Sequence, residues 1–399
     1  MLTTDDICWI NSHINDDIAS LRLKHHGSQH MAHLINQIAC RRKAASKLAM
    51  TLRCHAFEFP TELSQEQATS DRLAEFHASL VPEGGTCADL TSGLGIDILH
   101  IAQRCSTAVA IEREDAIANI LRDNAAVLSI HNLTVITGDC RDILPKLDRF
   151  DTIFIDPARR SKTGGRIFAL SDCHPDVVEM LPEIKRHTDC LIIKMSPMLD
   201  ISAISRTIGH CCTQIIALGD RRECKELIAI CRFDTNVEAP EIKSVTLFPD
   251  GHENTFVHTK EQEVQSSARY ADAEAGKYII DPYPAIMKTA PWRSLCTVCN
   301  AGMIADNTHL YIADSPKPDF GESYLIKEII PYASREIKRL SSRYPALSVA
   351  ARNFPLRAED LRKKLKVRDS DKSRLYGITD RKGDKYMIIC TPYGHQSNH

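Results

Sequence analysis

The sequence contains no long hydrophobic run. None of its apolar stretches approaches the ~20 consecutive apolar residues that a membrane-spanning helix needs. The first residues, MLTTDDICWINSH, include acids where a secretory leader has basic residues followed by an apolar segment. We therefore expect a soluble cytoplasmic protein that does not interact with a membrane.

A strong compositional bias is also missing. Apolar residues make up 43% of the chain and charged residues 26%, which is close to the average of globular proteins and excludes disorder or low complexity as the main state. A single hydrophobic core rarely grows beyond ~250–300 residues. The chain has 399 residues, so we expect it to form two or three domains.

The pattern of metal-ligating residues is incomplete. Cys296 and Cys299 form a lone CxxC, and a structural zinc site would need two more ligands, for which Cys390 and His395 are the only downstream candidates. No HExxH motif is present. The 15 cysteines are scattered through apolar, strand-like segments, as is typical of reduced core residues. The sequence predicts neither a metal site nor disulfides.

Charge is distributed unevenly along the chain. Residues 335–385 contain 16 Lys and Arg against 7 Asp and Glu, a net charge of +9. The whole chain carries −2, which leaves −11 for the remainder. This asymmetry favours a polyanionic partner for the C-terminal part.

The pattern of elements changes twice along the chain. Residues 1–80 are helical in pattern, with Ile14, Ile18 and Leu21 on one face and Thr61 or Ser64 as a helix cap after Pro60. Residues 81–236 alternate short apolar runs with amphipathic stretches, which predicts a parallel α/β sheet. Its seven candidate strands are TCADLT, TAVAIE, LTVITG, TIFIDP, CLIIKM, TQIIAL and KELIAICRF, with DAIANILRDNAAVLS as a crossover helix. Residues 237–399, after the linker DTNVEAPE, predict a separate α+β domain.

The segment ADLTSGLGID lies where the first strand should turn into its helix. Gly93 and Gly95 would let the backbone approach a ligand closely, beside the free amides of the helix N-terminus. The second strand ends in Glu112, whose carboxylate can accept hydrogen bonds from ribose hydroxyls. The third ends in Asp139, positioned to meet an adenine amine. These residues together predict an adenosine-binding site.

A dinucleotide fits this segment poorly. If the fingerprint GxGxxG begins at Gly93, its third glycine is replaced by Ile98. If Gly93 is instead its second glycine, Thr91 stands in place of the first. Asp89 and Asp97 suit an ammonium group and would repel phosphates. An adenosine that carries an α-amino group describes S-adenosylmethionine, so a nicotinamide oxidoreductase is the least favoured alternative.

The sequence resembles the class I methyltransferases, and among them bacterial members with a THUMP-like C-terminal domain. The resemblance covers most of the chain and rests on DLTSGLGID, AIE, GD, DPAR, LSQEQATSDRLAEFHASL, LIIKMSP and DPYPAIMK. It implies a Rossmann-like seven-stranded core between an N-terminal helical lobe and a THUMP-like domain that binds RNA. Under this interpretation the residues that bind the cofactor are Asp89, Thr91, Gly93, Gly95, Asp97, Glu112 and Asp139.

The same resemblance implies that Asp156 and Pro157 line the pocket of the methyl acceptor. Amino-directed methyltransferases have an aromatic residue at the end of this motif, whereas this chain has Ala158 and Arg159. Arg159 could cover a base with its guanidinium plane or pair with a phosphate. Lys194 and Ser196 could line the opposite wall.

DPAR is also similar to a motif of uridine C5 methyltransferases, which attack the base with a cysteine shortly after the fifth strand. This chain has Met195, Ser196 and Pro197 at that place, and Cys173 is the nearest substitute. Because the covalent route has no nucleophile there, we expect direct transfer to a nitrogen or oxygen.

Three alternatives remain open from the sequence. The most favoured is transfer of a methyl group to a nitrogen of an RNA base. The second keeps the cofactor but replaces RNA with DNA, a protein or a small molecule. The third, suggested by the altered DPAR motif, is a catalytically degenerate module that binds RNA or protein.

Overall fold

The computed structural model of the chain describes residues 1–159 and 170–394, with all their side chains except those of Arg159 and Ser171. Within these residues, no helix combines the length and the apolar character required to cross a membrane.

The helices of the described residues follow the predicted alternation. They are α1 (Thr4–Ser12), α2 (Ile18–Lys24), α3 (Gln29–Ala44), α4 (Glu62–Gln67), α5 (Asp71–Ser79), α6 (Ile96–Ala102), α7 (Asp115–Val127), α8 (Cys140–Ile143), α9 (Val177–His187), α10 (Ile201–Ile208), α11 (Lys260–Gln265), α12 (Pro284–Thr289), α13 (Trp292–Cys299), α14 (Ser334–Arg343) and α15 (Ala358–Leu365). The predicted crossover helix is confirmed as α7.

The seven predicted strands of the core are all confirmed, and they are among the strands that the described residues form. The strands are β1 (Thr86–Asp89), β2 (Thr107–Glu112), β3 (Leu133–Thr137), β4 (Thr152–Ile155), β5 (Ala158–Arg159), β6 (Cys173–His174), β7 (Cys190–Met195), β8 (Cys212–Asp220), β9 (Cys224–Arg232), β10 (Glu241–Leu247), β11 (Glu253–His258), β12 (Tyr278–Pro282), β13 (Gly302–Met303), β14 (Tyr311–Ala313), β15 (Gly321–Pro331), β16 (Ser348–Arg352), β17 (Arg374–Thr379) and β18 (Lys385–Pro392).

The larger sheet has the strand order β11-β10-β8-β9-β7-β4-β1-β2-β3. Strand β1 pairs in parallel with both β2 and β4, β2 pairs in parallel with β3, and β4 with β7. The chain first forms β2 and β3 on one side of β1 and then forms β4 and β7 on the other side. The strand order therefore reverses between β1 and β4. Ligands of open α/β sheets bind at the carboxyl ends of the strands beside such a reversal.

Two strands extend the sheet beyond the predicted seven. The segment IKSVTLF forms β10, which pairs in parallel with β8 and antiparallel with β11. This segment is predicted to belong to the C-terminal domain, and it lies in the second of the two compact units described below. Alternating apolar residues identify a strand but do not specify the strand with which it pairs, so this arrangement was not predicted.

The chain folds as two compact units. The first consists of Met1–Thr213 and Ala229–Glu238, and the second of Gln214–Ile228 and the described chain from Ala239 onward. The second unit contains a seven-stranded sheet with the order β13-β14-β12-β15-β18-β17-β16. The first unit ends at Glu238, two residues after the boundary predicted at residue 236. The division into three domains stays a prediction.

The N-terminal helices begin at side-chain caps. The hydroxyl of Thr61 accepts a hydrogen bond from the Ser64 amide at the start of α4, which confirms Thr61 as a cap. Leu21 is buried in an apolar cluster against which Ile14 and Ile18 pack. The three residues therefore share a core as predicted, although Ile14 precedes α2 instead of lying on it.

Gly95 is required by the close approach of Leu121, a residue of α7. It has a positive φ of 89°, and a Cβ atom at this position would lie 2.2 Å from Cδ1 of the buried Leu121. Gly93 also has a positive φ, 52°, but a Cβ there would meet nothing within 4 Å. Both glycines have a positive φ but they differ in their steric surroundings, so they can be compared as a pair.

We expect Gly95→Ala to lower the free energy of unfolding by about 2–5 kcal/mol, because backbone strain and overpacking add. Gly93→Ala should cost only the backbone strain, roughly 1–2 kcal/mol. Urea denaturation of both variants measures the difference. Equal losses in the two variants would show that contact with Leu121 does not determine the glycine at position 95.

Candidate functional site

The topology brings four acidic residues to one edge of the parallel sheet. Asp89 and Glu112 are the last residues of β1 and β2, Asp139 follows β3, and Asp156 directly follows β4. Because carboxyl ends of neighbouring parallel strands lie at the same edge, the four predicted site residues surround the reversal between β1 and β4.

Thr91 connects the loops that follow β1 and β4. Its amide donates a hydrogen bond of 2.9 Å to Oδ1 of Asp89, and its hydroxyl accepts one of 2.8 Å from the amide of Asp156. The residue therefore ties the glycine loop to the DPAR motif. In this structure its polar groups hold the site together.

Asp89 is buried, with a relative exposure of 2%. Burial raises the pKa of Asp89 well above its ordinary value, and the negative charges of Asp97 and Asp156 raise it further. The Thr91 amide and the Lys194 ammonium offset this only in part. A cationic ligand at this edge would favour the charged form of Asp89, as expected for an ammonium group.

Gly93 and Glu112 suit a ligand that approaches the backbone closely. The Gly93 amide donates to Oε2 of Glu112 at 2.8 Å, and the Glu114 amide donates to Oε1 at 2.7 Å. A carboxylate can accept about four hydrogen bonds, so Glu112 has capacity for ribose hydroxyls. The missing Cβ of Gly93 leaves open space above the loop. These residues fit the predicted adenosine-containing cofactor.

Asp139 is held by its own neighbour. Oδ1 accepts hydrogen bonds from the amide and Nε of Arg141, both at 2.9 Å, and Oδ2 accepts one of 2.6 Å from Nη2. These hydrogen bonds lower the pKa of Asp139 to about 2. The residue also caps α8. Any contact with an adenine amine would be made by a carboxylate that Arg141 keeps in place.

Asp156, the acid of the DPAR motif, has a side-chain exposure of 41%. Its Oδ2 accepts a hydrogen bond of 2.7 Å from Nζ of Lys194. Pro157 is buried. Strand β5 then pairs antiparallel with β6, so that Arg159 is in register with the buried Cys173. The side chain of Arg159 lies outside the described part, so its predicted stacking or phosphate contact stays a prediction.

Asp97 takes part in a buried polar network instead of facing an open site. Oδ1 lies 2.7 Å from Nδ1 of His77, and Oδ2 accepts hydrogen bonds from the Thr69 hydroxyl at 2.6 Å and from Lys194 at 3.3 Å. Burial opposes ionisation of Asp97, but Lys194 and His77 hold its pKa well below the ordinary value. The sequence analysis did not identify Thr69 or His77. Both lie in LSQEQATSDRLAEFHASL, whose resemblance to the family was the one available signal.

Among the described residues, no group of three His, Cys, Asp or Glu side chains could hold a metal ion. Cys296 and Cys299 are buried on α13, and burial raises the pKa of Cys299 to about 12. Cys390 is buried too, and His395 lies outside the described residues.

Family models match the C-terminal part of the chain. Residues 321–392 match a THUMP domain-like family, and residues 278–320 match a ferredoxin-like domain. The seven-stranded sheet of the second unit contains strands of both segments. No curated protein matches the chain.

The whole chain is similar to a protein of Porphyromonas gingivalis W83 that is named as a candidate methyltransferase. The two are 26% identical, the alignment covers 98% of each chain, and the TM-score is 0.88. The resemblance predicted from the sequence is confirmed. The α/β fold class with a methyltransferase-like core and a THUMP-like C-terminal part is also confirmed.

Two further solved structures share a smaller part of the fold. The tRNA m1G37 methyltransferase of M. jannaschii is 10% identical, with 43% of this chain and 52% of that chain covered at a TM-score of 0.30. An rRNA methylase of Streptococcus thermophilus is 12% identical, with 40% and 93% covered at a TM-score of 0.31. Similarities at this level do not bear on the substrate.

We expect Asp89→Asn to be more stable than the original chain at pH 8. Because the pKa of Asp89 is raised in the folded state, stability falls as pH rises above the ordinary pKa of an aspartate, and the amide removes this loss. A shift of one pKa unit corresponds to ~1.4 kcal/mol, which sets the scale of the expected gain. Unfolding free energies at pH 5 and pH 8 measure it. Equal destabilisation of the variant at both pH values would contradict a raised pKa of Asp89 in the folded state.

Proposed function

We propose that this protein is an S-adenosylmethionine-dependent methyltransferase that transfers a methyl group to a nitrogen of an RNA base. The observation that carries the proposal is the convergence of Asp89, Glu112, Asp139 and Asp156 beside the sheet reversal, in a chain that aligns over its whole length with a candidate methyltransferase. The confirmed THUMP domain-like match supports RNA as the substrate class.

We propose that the cofactor lies over the glycine loop. Glu112 would bind the ribose hydroxyls, Asp139 would lie beside the adenine, and Gly93 would let the methionine end approach the backbone. Asp89 would provide negative charge for the amino group, and Thr91, Gly95 and Asp97 would shape the surrounding loop. When bound, the cofactor supplies an electrophilic methyl group on a sulfonium centre.

The residues of the chain then have to align the acceptor and receive its proton. Asp156 is accessible and its carboxylate is oriented by Lys194. We propose that Asp156 and the carbonyl oxygen of Pro157 accept hydrogen bonds from an exocyclic amine, which turns the nitrogen lone pair toward the methyl group. Arg159 would contact the base or a neighbouring phosphate.

The second unit presents a basic surface that suits the RNA backbone. Helices α14 and α15 pack against each other, and Ile337, Leu340, Leu361 and Leu365 are buried in one apolar cluster. Their outer sides carry exposed cations, namely Arg335, Lys338, Arg339, Arg343, Lys363, Lys364 and the following Lys366. Within the described residues Arg335, Lys338 and Lys366 form no ion pair, so their charge is available to phosphates.

Transfer of a labelled methyl group to total RNA tests the proposal. Labelled RNA that disappears after ribonuclease treatment would support it, whereas label on DNA or protein would favour the second alternative. If calorimetry detected no binding of S-adenosylmethionine, the catalytically degenerate binding module would be the better interpretation.

We expect Asp156→Ala to lower kcat by at least about 100-fold, since the acceptor would lose its positioning group. The affinity for S-adenosylmethionine should stay within about twofold, because Asp156 is proposed to contact the acceptor and not the cofactor. Asp156→Asn, which retains a hydrogen-bond acceptor for Lys194, controls for loss of structure. Full turnover by the alanine variant would exclude the proposed role.

We expect Lys338→Ala and Lys366→Ala to weaken binding to RNA of any sequence. Each lost phosphate contact should lower the slope of log affinity against log salt concentration by about 1. Lys260→Ala, at an exposed lysine of α11 outside this surface, is the matched control. Fluorescence anisotropy over a range of salt concentrations measures both slopes. An unchanged slope in both helix variants would place the RNA elsewhere.

A further inference from the structure

A buried polar network lies behind the DPAR motif and includes residues of the N-terminal helices. Lys194 is at its centre, with 12% of its side chain exposed. Nζ donates hydrogen bonds to Oγ1 of Thr69 at 2.7 Å, to Oδ2 of Asp97 at 3.3 Å and to Oδ2 of Asp156 at 2.7 Å. These three oxygens match in number the three N–H donors of an ammonium group.

These contacts indicate how Lys194 acts. It is predicted as a catalytic residue on the wall of the acceptor pocket opposite Asp156 and Pro157. An ammonium that donates to three protein oxygens orients those oxygens. Its contact with Asp156 fixes the exposed carboxylate from the inner side.

Thr69 and Asp97 fix Lys194 in turn. The Thr69 hydroxyl accepts from Lys194 and donates to Asp97, so a single side chain bridges the cation and the anion. His77 holds the other oxygen of Asp97 at 2.7 Å. His77 is fully buried, and its ring centroid lies 5.6 Å from that of Phe154, two residues before Asp156. Every member of the network is therefore restrained on more than one side.

Two of these residues come from the segment before β1. Thr69 precedes α5 and His77 lies on it, and α5 packs against α6, which carries Asp97. We infer that Thr69 and His77 are positioning residues for the methyl acceptor, which act through Asp97 and Lys194 on Asp156. The catalytic role of these residues rests on the proposed function, whereas the hydrogen-bond network rests on the geometry alone.

The test compares variants that delete one hydrogen bond with variants that conserve it. Thr69→Val keeps the shape of the side chain without the hydroxyl, and Thr69→Ser keeps the hydroxyl. His77→Leu removes the donor to Asp97, and His77→Asn keeps an N–H near the position of Nδ1. Thr61→Val is the matched control, because Thr61 caps α4 in the same segment outside the network.

We expect Thr69→Val and His77→Leu to lower kcat about 10- to 100-fold, as misplaced catalytic groups do, with little change in KM for RNA or in cofactor affinity. Thr69→Ser and His77→Asn should recover most of the rate, and Thr61→Val should keep it. Parallel losses of kcat and folded protein in all five variants, or full activity of Thr69→Val, would overturn the inference.

A second measurement does not depend on activity. A largely buried ammonium that donates to three protein oxygens exchanges its protons slowly, so Lys194 should give a resolved signal in a proton–nitrogen spectrum of lysine-labelled protein. Lys194→Met identifies the signal, Thr69→Val and Asp97→Asn should weaken or remove it, and Thr61→Val should retain it. Without that signal the network is refuted. If the signal is present but the protein transfers no methyl group, the proposed function fails while the network stands.

Discussion

The ammonium group of Lys194 lies among acidic side chains at the carboxyl edge of the parallel sheet. Lys194 contacts Asp97 and Asp156 directly, and its charge also reaches the buried Asp89. Three carboxyl groups lie near one ammonium at this edge. Burial, and after it the negative charges of Asp97 and Asp156, raise the pKa of Asp89 well above its ordinary value. Such a site favours a ligand that brings positive charge and disfavours one that brings phosphates. The electrostatics therefore agree with the proposed sulfonium cofactor and disagree with a dinucleotide.

The glycine loop shows that one motif can combine two constraints. Gly95 is needed because Leu121 occupies the space where a Cβ would project, whereas Gly93 leaves open space beside Glu112. Gly93 therefore has the open space that a close ligand would need, and the cofactor contact expected of Gly95 stays a prediction. Asp139 also has a structural role, because it caps α8 and accepts hydrogen bonds from Arg141. Conformational and packing requirements account for part of a pattern that the sequence alone would assign to the cofactor.

In the second unit, a residue of a sequence signature also has a structural role. Asp281, in the signature DPYPAIMK, is buried and accepts hydrogen bonds from Nη2 of Arg352 at 3.1 Å and from the hydroxyl of Tyr376 at 2.9 Å. The guanidinium of Arg374 lies 5.0 Å from the centroid of the Tyr376 ring. This signature thus holds strands of one sheet together. Arg335, Lys338 and Lys366, which form no ion pair among the described residues, take no part in that cluster.

The sequence by itself determined the local elements and the positions of the main acids. Apolar periodicity identified the seven core strands and α7, and the strand ends identified Asp89, Glu112, Asp139 and Asp156, because both signals depend on residues that are close in sequence. Tertiary structure decided the rest. No spacing links Thr69 or His77 to Asp97 and Lys194, and neither the pairing of β10 with β8 nor the contact of Gly95 with Leu121 leaves a local pattern. These contacts join residues far apart in the chain, and only the packing of whole elements brings them within hydrogen-bonding or van der Waals distance.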